Sequence, residues 1–458
     1  MTLPAPEIPA QARHDVPTAA LLIALAFVPF LATMAPRAMV FLPGIIALVF
    51  LGFLRISGRS VSWPSPRLWA FVLWPIALGA LSALWSADPA QALERAAKAG
   101  AALAASALLI PVVRQTAPRT LAQLGWILPA GVALAAASVA LDLALGLPLH
   151  RAIAGVAQDA AFDPFHVNRS VVVCVLLLFP ALGVAWACAL RRPVKLLLCG
   201  GVVLCCAGLL VLCESQSAQL AFCCGVLMFA LFPVLRHRGG QIALWALIAA
   251  FLCAAPFAAK VAFAPLAAAI ESHEELRELS APQRLEIWDF VARRALERPA
   301  TGFGIDATRD MTFDTAQIYH KGNTVLHPHD FALQIWIEFG ALGVACALLF
   351  FAGLVRALGA LPESAGRFAF AGFATTLSVA ATGYGMWQGW WLGTLLTQCA
   401  WIVLLTHGLS VERSENQCRS DSCPSDSVTW SSGTAPSARS DNGSAASGRS
   451  GCAASSRR

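Results

Sequence analysis

Apolar runs dominate the chain, near residues 18–34, 39–54, 68–85, 98–113, 121–145, 170–190, 194–213, 215–235, 241–258, 330–355, 368–385 and 388–408. Short polar connections separate most of them. Runs of this length predict membrane-crossing helices, because roughly 20 apolar residues in a helix span a bilayer core of about 30 Å. Barrel strands need only about ten residues and alternate polar with apolar positions, a pattern absent here. The sequence predicts an all-α integral membrane protein with about 12 transmembrane helices and one large loop, carrying amphipathic helices, between spans 9 and 10.

The expected organisation is an N-terminal segment 1–17, spans 1–9 over 18–258, a loop over 259–329, spans 10–12 over 330–411, and a tail 412–458. Lys and Arg favour cytoplasmic loops. Alternate connections hold Arg55, Arg59 and Arg67; Arg114 and Arg119; Arg191, Arg192 and Lys195; Arg236 and Arg238; Arg356 and Arg367. That alternation puts both termini in the cytoplasm and segment 259–329 on the far side. The first apolar run leads directly into the second, and Pro36 disfavours cleavage after "LATMA", so the first span is read as uncleaved. The Ser/Gly/Arg-rich tail is expected to be disordered, since it has little apolar surface to bury.

At 58% hydrophobic and 13% charged residues, the composition excludes an ordinary soluble domain. The fourteen cysteines lie mostly inside the runs and lack the paired spacing of a zinc site, so they read as small packing residues. No phosphate-binding loop of the nucleotide-hydrolase type occurs. No cofactor, metal or nucleic acid is implied.

Chemistry gathers in the loop and at its exit. Ser280, Pro282 and Gln283 read as the start of a helix that runs to about Glu297, with Leu285, Trp288, Val291, Ala292 and Ala295 as its apolar stripe. Arg284 lies one turn before Trp288. The stretch "HPHDFALQIWIEFGALG" then places His327, His329 and Asp330 at the amide end of a span, where anions are favoured. A neutral imidazole there can accept a proton. Asp330 either caps the helix or orients an imidazole. A metal held by His327 and His329 is the weaker reading. Arg37, Arg169 and Gln216 fall in connections on the same side, and a planar guanidinium suits phosphate.

These stretches, with "NRSVVVCVLLLFPALG" (168–183), "ESQSAQLAF" (214–222) and "SAPQRLEIWDFVARRALERPATGFGID" (280–306), resemble the O-antigen ligase family of polytopic membrane glycosyltransferases. His329, a following polar residue, nine others, then Gly340 and Gly343 match the family's most specific pattern. The likeness covers roughly 165–355. It implies transfer of a polysaccharide from undecaprenyl diphosphate to lipid A–core at the periplasmic face of the inner membrane, with inversion and without metal or nucleotide. Membrane lipids would surround the site. By this resemblance His329 is the general base, and Arg284 binds the diphosphate. Arg37, Arg169, His327, Asp330 and Gln216 support substrate binding. Two positions depart from the family: Asp330 stands where Asn, Ser or Gln is common, and Gln216 where Arg is frequent.

A polymerase of the same superfamily, extending a glycan on its lipid carrier, is the nearest alternative. A secondary transporter or flippase would need ionisable residues deep in the spans and duplicated halves, and neither stands out. A receptor with an inert loop would leave the His-to-Gly spacing accidental.

Overall fold

The computed structural model describes residues 10–61, 63, 65–157, 167–273, 275, 281–313, 318–320 and 323–421. Each apolar run is helical. The principal helices are α1 (Ala10–Met34), α2 (Leu42–Ile56), α3 (Pro66–Leu81), α4 (Pro89–Ala107), α5 (Ile127–Ala144) and α6 (Asn168–Ala187). They continue with α7 (Arg192–Leu212), α8 (Gln216–Ala230), α9 (Arg238–Ser272), α10 (Ala281–Ala295), α11 (Phe331–Gly359), α12 (Glu363–Thr382) and α13 (Gly389–Asp421). Among the described residues the only strand-like pairing is an isolated bridge between Thr312 and Thr324. The protein is an all-α, multi-pass membrane protein.

Among the described residues eight helices, rather than about twelve, are long and apolar enough to cross a membrane by length and composition. The others fall short for identifiable reasons. Helices α2, α3 and α8 have only 15 or 16 residues, below the roughly 17 to 25 that a span uses. Helix α12 has 20 residues, but Glu363, Arg367 and the pair Thr375–Thr376 dilute its apolar character.

Two boundaries also differ from expectation. Helix α9 runs unbroken to Ser272, so the connection to α11 starts some 14 residues later than position 259. Its Ala-rich end keeps strong helix propensity, and Pro256 and Pro265 do not stop it. Helix α13 continues to Asp421, past the predicted start of the tail; positions 422–458 lie outside the described residues.

Helix α6 is the centre of the main core, with every residue from Ser170 to Ala185 buried. Helices α1, α5, α7, α8 and α12 pack around it, which explains its apolar sequence on all sides. A second core forms where α10 packs on α9 and α11. There Leu285, Ile287, Phe290, Val291, Ala292 and Ala295 are buried, while Trp288 is half-buried and donates from its indole nitrogen to the Pro328 carbonyl at 2.9 Å. The predicted cap at Ser280 lies outside the described residues.

The connection after α10 is stitched to α11 through main-chain atoms. Gly340 adopts φ 58° and ψ −149° inside α11, a conformation open essentially to glycine alone. The helix opens there. The carbonyls of Ile337 and Glu338 accept from Phe303 N–H and Gly304 N–H, each at 2.8 Å. In return, Ala341 N–H and Leu342 N–H donate to the Pro299 and Ala300 carbonyls at 2.8 and 3.1 Å. A Cβ on Gly340 would lie 2.6 Å from backbone atoms of Pro299 and Ala300, and one on Gly302 would lie 2.5 Å from the Glu338 backbone. Helix α10, which carries Arg284, is thereby tied to α11, which His329 precedes.

Candidate active site

His329, Arg284, Arg37, Arg169 and Gln216, scattered across nearly 300 positions of sequence, line one cavity of about 380 Å³. Arg37 comes from the 3-10 turn Pro36–Val40 between α1 and α2. Arg169 sits in the first turn of α6, its guanidinium 5.9 Å from the Trp390 ring centre. Gln216 opens α8. Of the acidic residues, Glu214 lines the wall. Among the described residues Arg37, Arg169 and Arg284 form no salt bridge. Three guanidinium groups facing one carboxylate leave the cavity with excess positive charge, suited to an anion.

The helix ends add to that field, although not the one expected. The amide end of α11 is occupied by its own cap: the Asp330 carboxylate accepts from Ala332 N–H at 2.7 Å and Leu333 N–H at 3.1 Å. Asp330 is buried and does not line the cavity. Of the two local roles open to it, the structure displays the cap. Instead α6 and α8, of 20 and 15 residues, begin at the cavity with Asn168 and Gln216. Their amide ends carry partial positive charge toward it. Burial pushes the Asp330 carboxyl up to about 6, against the pull of its two backbone donors. Asn, Ser and Asp are all good helix caps, so the residue following the histidine can vary among them without changing this function.

His329 holds a left-handed backbone conformation, φ 58°, uncommon outside glycine. The turn aims its ring at Gly383, where Nδ1 lies 2.5 Å from the carbonyl oxygen. A carbonyl only accepts, so Nδ1 carries the proton and the neutral ring has a bare Nε2. Burial first, and then the Arg284 guanidinium, lower the His329 imidazole to about 4. Arg284 is itself lowered by burial. The ring is thus a neutral acceptor at physiological pH.

His327 belongs elsewhere. Its ring centre is 4.1 Å from that of His329, yet it lines a second, larger cavity. Burial pushes His327 well below the ordinary histidine range, with His329, Arg309, Arg169 and Arg284 adding to the effect. No third donor joins the pair: among the described residues no group of three His, Cys, Asp or Glu is placed to hold a metal.

Sequence reasoning missed Gly383 and Tyr384, which complete the cavity wall. Tyr384 packs edge-on against Trp390 with ring centres 4.7 Å apart. Burial raises its hydroxyl to about 12, although Arg169 and Arg284 pull the other way. The chain has only two tyrosines, and one of them set between glycines in "ATGYGMWQGWW" was the available signal.

Residues 201–348 match the family model described as O-antigen ligase. Similar curated proteins include Rickettsia prowazekii "Putative polysaccharide ligase RP358", 34% identical over 119 residues, which are 25% of this chain and 29% of that protein. A Rickettsia typhi protein, "Putative polysaccharide ligase RT0347", is 32% identical over 119 residues, with the same two shares. A Rickettsia bellii "Putative polysaccharide ligase" is 30% identical over 132 residues, 28% of this chain and 31% of that one. The match spans less than a third of the length of each of these relatives. The matched segment carries Arg284, His329 and the stitch at Gly340, so the likeness to the O-antigen ligase model falls on residues that line and brace the arginine cavity.

Proposed function

We propose that this protein is a glycosyltransferase that moves a polysaccharide from undecaprenyl diphosphate to lipid A–core at the periplasmic face of the inner membrane. One observation carries the reading: a neutral imidazole and three guanidinium groups, none of the latter in a salt bridge among the described residues, line a single cavity. In this scheme Nε2 of His329 takes the proton from an acceptor sugar hydroxyl as that oxygen attacks the anomeric carbon from the face opposite the leaving group. The bond between the anomeric carbon and the diphosphate oxygen breaks, its electron pair leaves with the diphosphate, and the configuration inverts.

Arg284 meets the charge developing on the leaving group, assisted by Arg169, Arg37 and the amide ends of α6 and α8. A diphosphate is already a good leaving group, so orientation, a base and electrostatic support suffice. The fixed tautomer of His329 keeps its accepting nitrogen available without a prior proton shift.

Reconstitution with lipid-linked glycan and two competing acceptors, lipid A–core and a second lipid-linked glycan, tests the proposal. Product on lipid A–core, lost in His329→Ala and Arg284→Ala with normal insertion, is the expected result. Product only on the second carrier would identify a polymerase. Undiminished transfer by both variants would overturn the assignment of the site.

A further inference from the structure

The second cavity, of about 730 Å³, shares its dividing wall with the first. Gly383 and Tyr384 face the His329 side, whereas Gly385, Trp387, Gln388 and Gly389 of the same turn face the His327 side. The cavity has a graded lining. At one end stand Arg95, Lys98 and Arg309, with Asp306 as the lining carboxylate. Asp306 accepts from Arg309 Nε at 2.6 Å and lies 3.3 Å from Arg95 Nε. Lys98 pairs with Glu94, both well exposed, and Asp310 is taken by Gln91.

Away from that end the lining becomes apolar. Along α4, Arg95 and Lys98 give way to Ala99, Ala101, Ala102 and Ala105, a progression of about 15 Å at 1.5 Å per residue. Facing them, Phe41 just before α2 and Ile45 and Leu48 within it are 66%, 55% and 59% exposed. Small residues on one wall and large uncovered ones on the other make a trough that opens beside a cationic rim.

We propose that this trough is a second binding site, for an amphiphile whose headgroup bears phosphate. Its apolar chain lies between α2 and α4, and its headgroup rests on Arg95, Lys98 and Arg309. Arg95 and Arg309 share the single lining carboxylate Asp306 while Lys98 is held by Glu94 at the rim, which leaves one net positive charge for a phosphate. The axis from Lys98 to Ala105 gives the order of head and tail. The rings of His327 and His329, with centres 4.1 Å apart, put that headgroup beside the proposed base. Resting on the proposed transfer reaction, the assignment makes the trough the acceptor lipid's seat, with the carrier's diphosphate in the arginine cavity.

Binding without turnover tests this separately from catalysis. The full-length protein in nanodiscs is offered lipid A, undecaprenyl diphosphate or phosphatidylcholine, and retention is read by native mass spectrometry. Lipid A should be held at least tenfold more tightly than phosphatidylcholine, should be lost in Ala101→Trp, and should be weakened about tenfold in Lys98→Gln/Arg309→Gln. His329→Ala should hold it normally, even while transfer fails. Undecaprenyl diphosphate in place of lipid A, with the same sensitivity to Ala101→Trp, would overturn the acceptor assignment and give the trough to the carrier. Equal retention of phosphatidylcholine, or retention indifferent to both trough variants, would overturn the site itself. A fully active His329→Ala would instead refute the transfer mechanism and leave this site standing.

Discussion

Nδ1 of His329 donates to the Gly383 carbonyl across 2.5 Å, linking the residue before α11 to the turn between α12 and α13. The bond determines which ring nitrogen is free. It also joins two of the segments that wall the cavity.

The imidazole's low affinity for protons yields a pH signature. With its folded pKa near 4 and an unfolded value of about 6.5, His329 stays neutral until pH falls to about 4. The acid limb of kcat/KM, which reports the free enzyme, should therefore lie near 4. A bound diphosphate offsets the Arg284 charge, so the limb of kcat should lie at higher pH. Stability follows the same group. Between 6.5 and 4 the unfolded chain takes the proton and the folded one does not, so stability falls as pH drops through that window. Steady-state pH profiles in detergent check the kinetic limbs, and a kcat/KM limb at 6.5 would contradict the buried, Arg284-facing ring.

Arg284 should be hard to replace. Arg284→Gln is expected to lower kcat/KM by about 10² to 10³-fold, the usual effect of removing one donor to a developing anion. Arg284→Lys retains charge but loses the planar fork, so it should recover only part of that rate. Transfer assays at matched membrane protein levels make the comparison.

Asp330 separates capping from catalysis. Asp330→Asn keeps an acceptor for Ala332 N–H and Leu333 N–H, and should leave both transfer and stability near those of the parent. Asp330→Ala should cost about 1 kcal/mol through loss of the cap. The raised carboxyl pKa of about 6 means the folded state binds more protons than the unfolded between about 3.9 and 6. Its contribution to stability is thus present below that window and lost as pH rises through it. His329 contributes the opposite slope over nearly the same window. The loss should therefore appear in the difference between the thermal unfolding curves of the parent and Asp330→Asn taken as a function of pH.

The stitch at Gly340 is predicted to be intolerant. Gly340→Ala puts a Cβ 2.6 Å from the Pro299 and Ala300 backbone in a conformation that costs about 1–3 kcal/mol for a side chain even without a clash. Both unfolding temperature and transfer should drop, whereas Gly353→Ala, with only the Phe71 ring 3.8 Å away, should change neither appreciably.

Much of this arrangement was legible in advance, for physical reasons. Apolar periodicity marks helices wherever they run, and the imidazole and guanidiniums stood out because polar cations are costly beside lipid. Crossing number was less legible, because run length alone did not separate 15-residue helices such as α2 and α8 from full spans. Asp330 offered two local roles, and only the backbone geometry chose the cap. The turn with Gly383 and Tyr384 offered only its rare tyrosine between glycines, because its partner His329 lies more than 50 positions away in sequence. The alanine-lined trough carried no unusual residue to notice.

Because the stitch around Gly340 is made from peptide groups, it does not depend on which side chains decorate residues 299–304, glycines apart. Sequence drift there can change the surface of the connection without altering how Arg284 on α10 is held relative to His329 ahead of α11. Substitutions in that connection, its glycines apart, should therefore be tolerated as a hinge pin tolerates paint, because the fastening runs through peptide groups that every residue supplies.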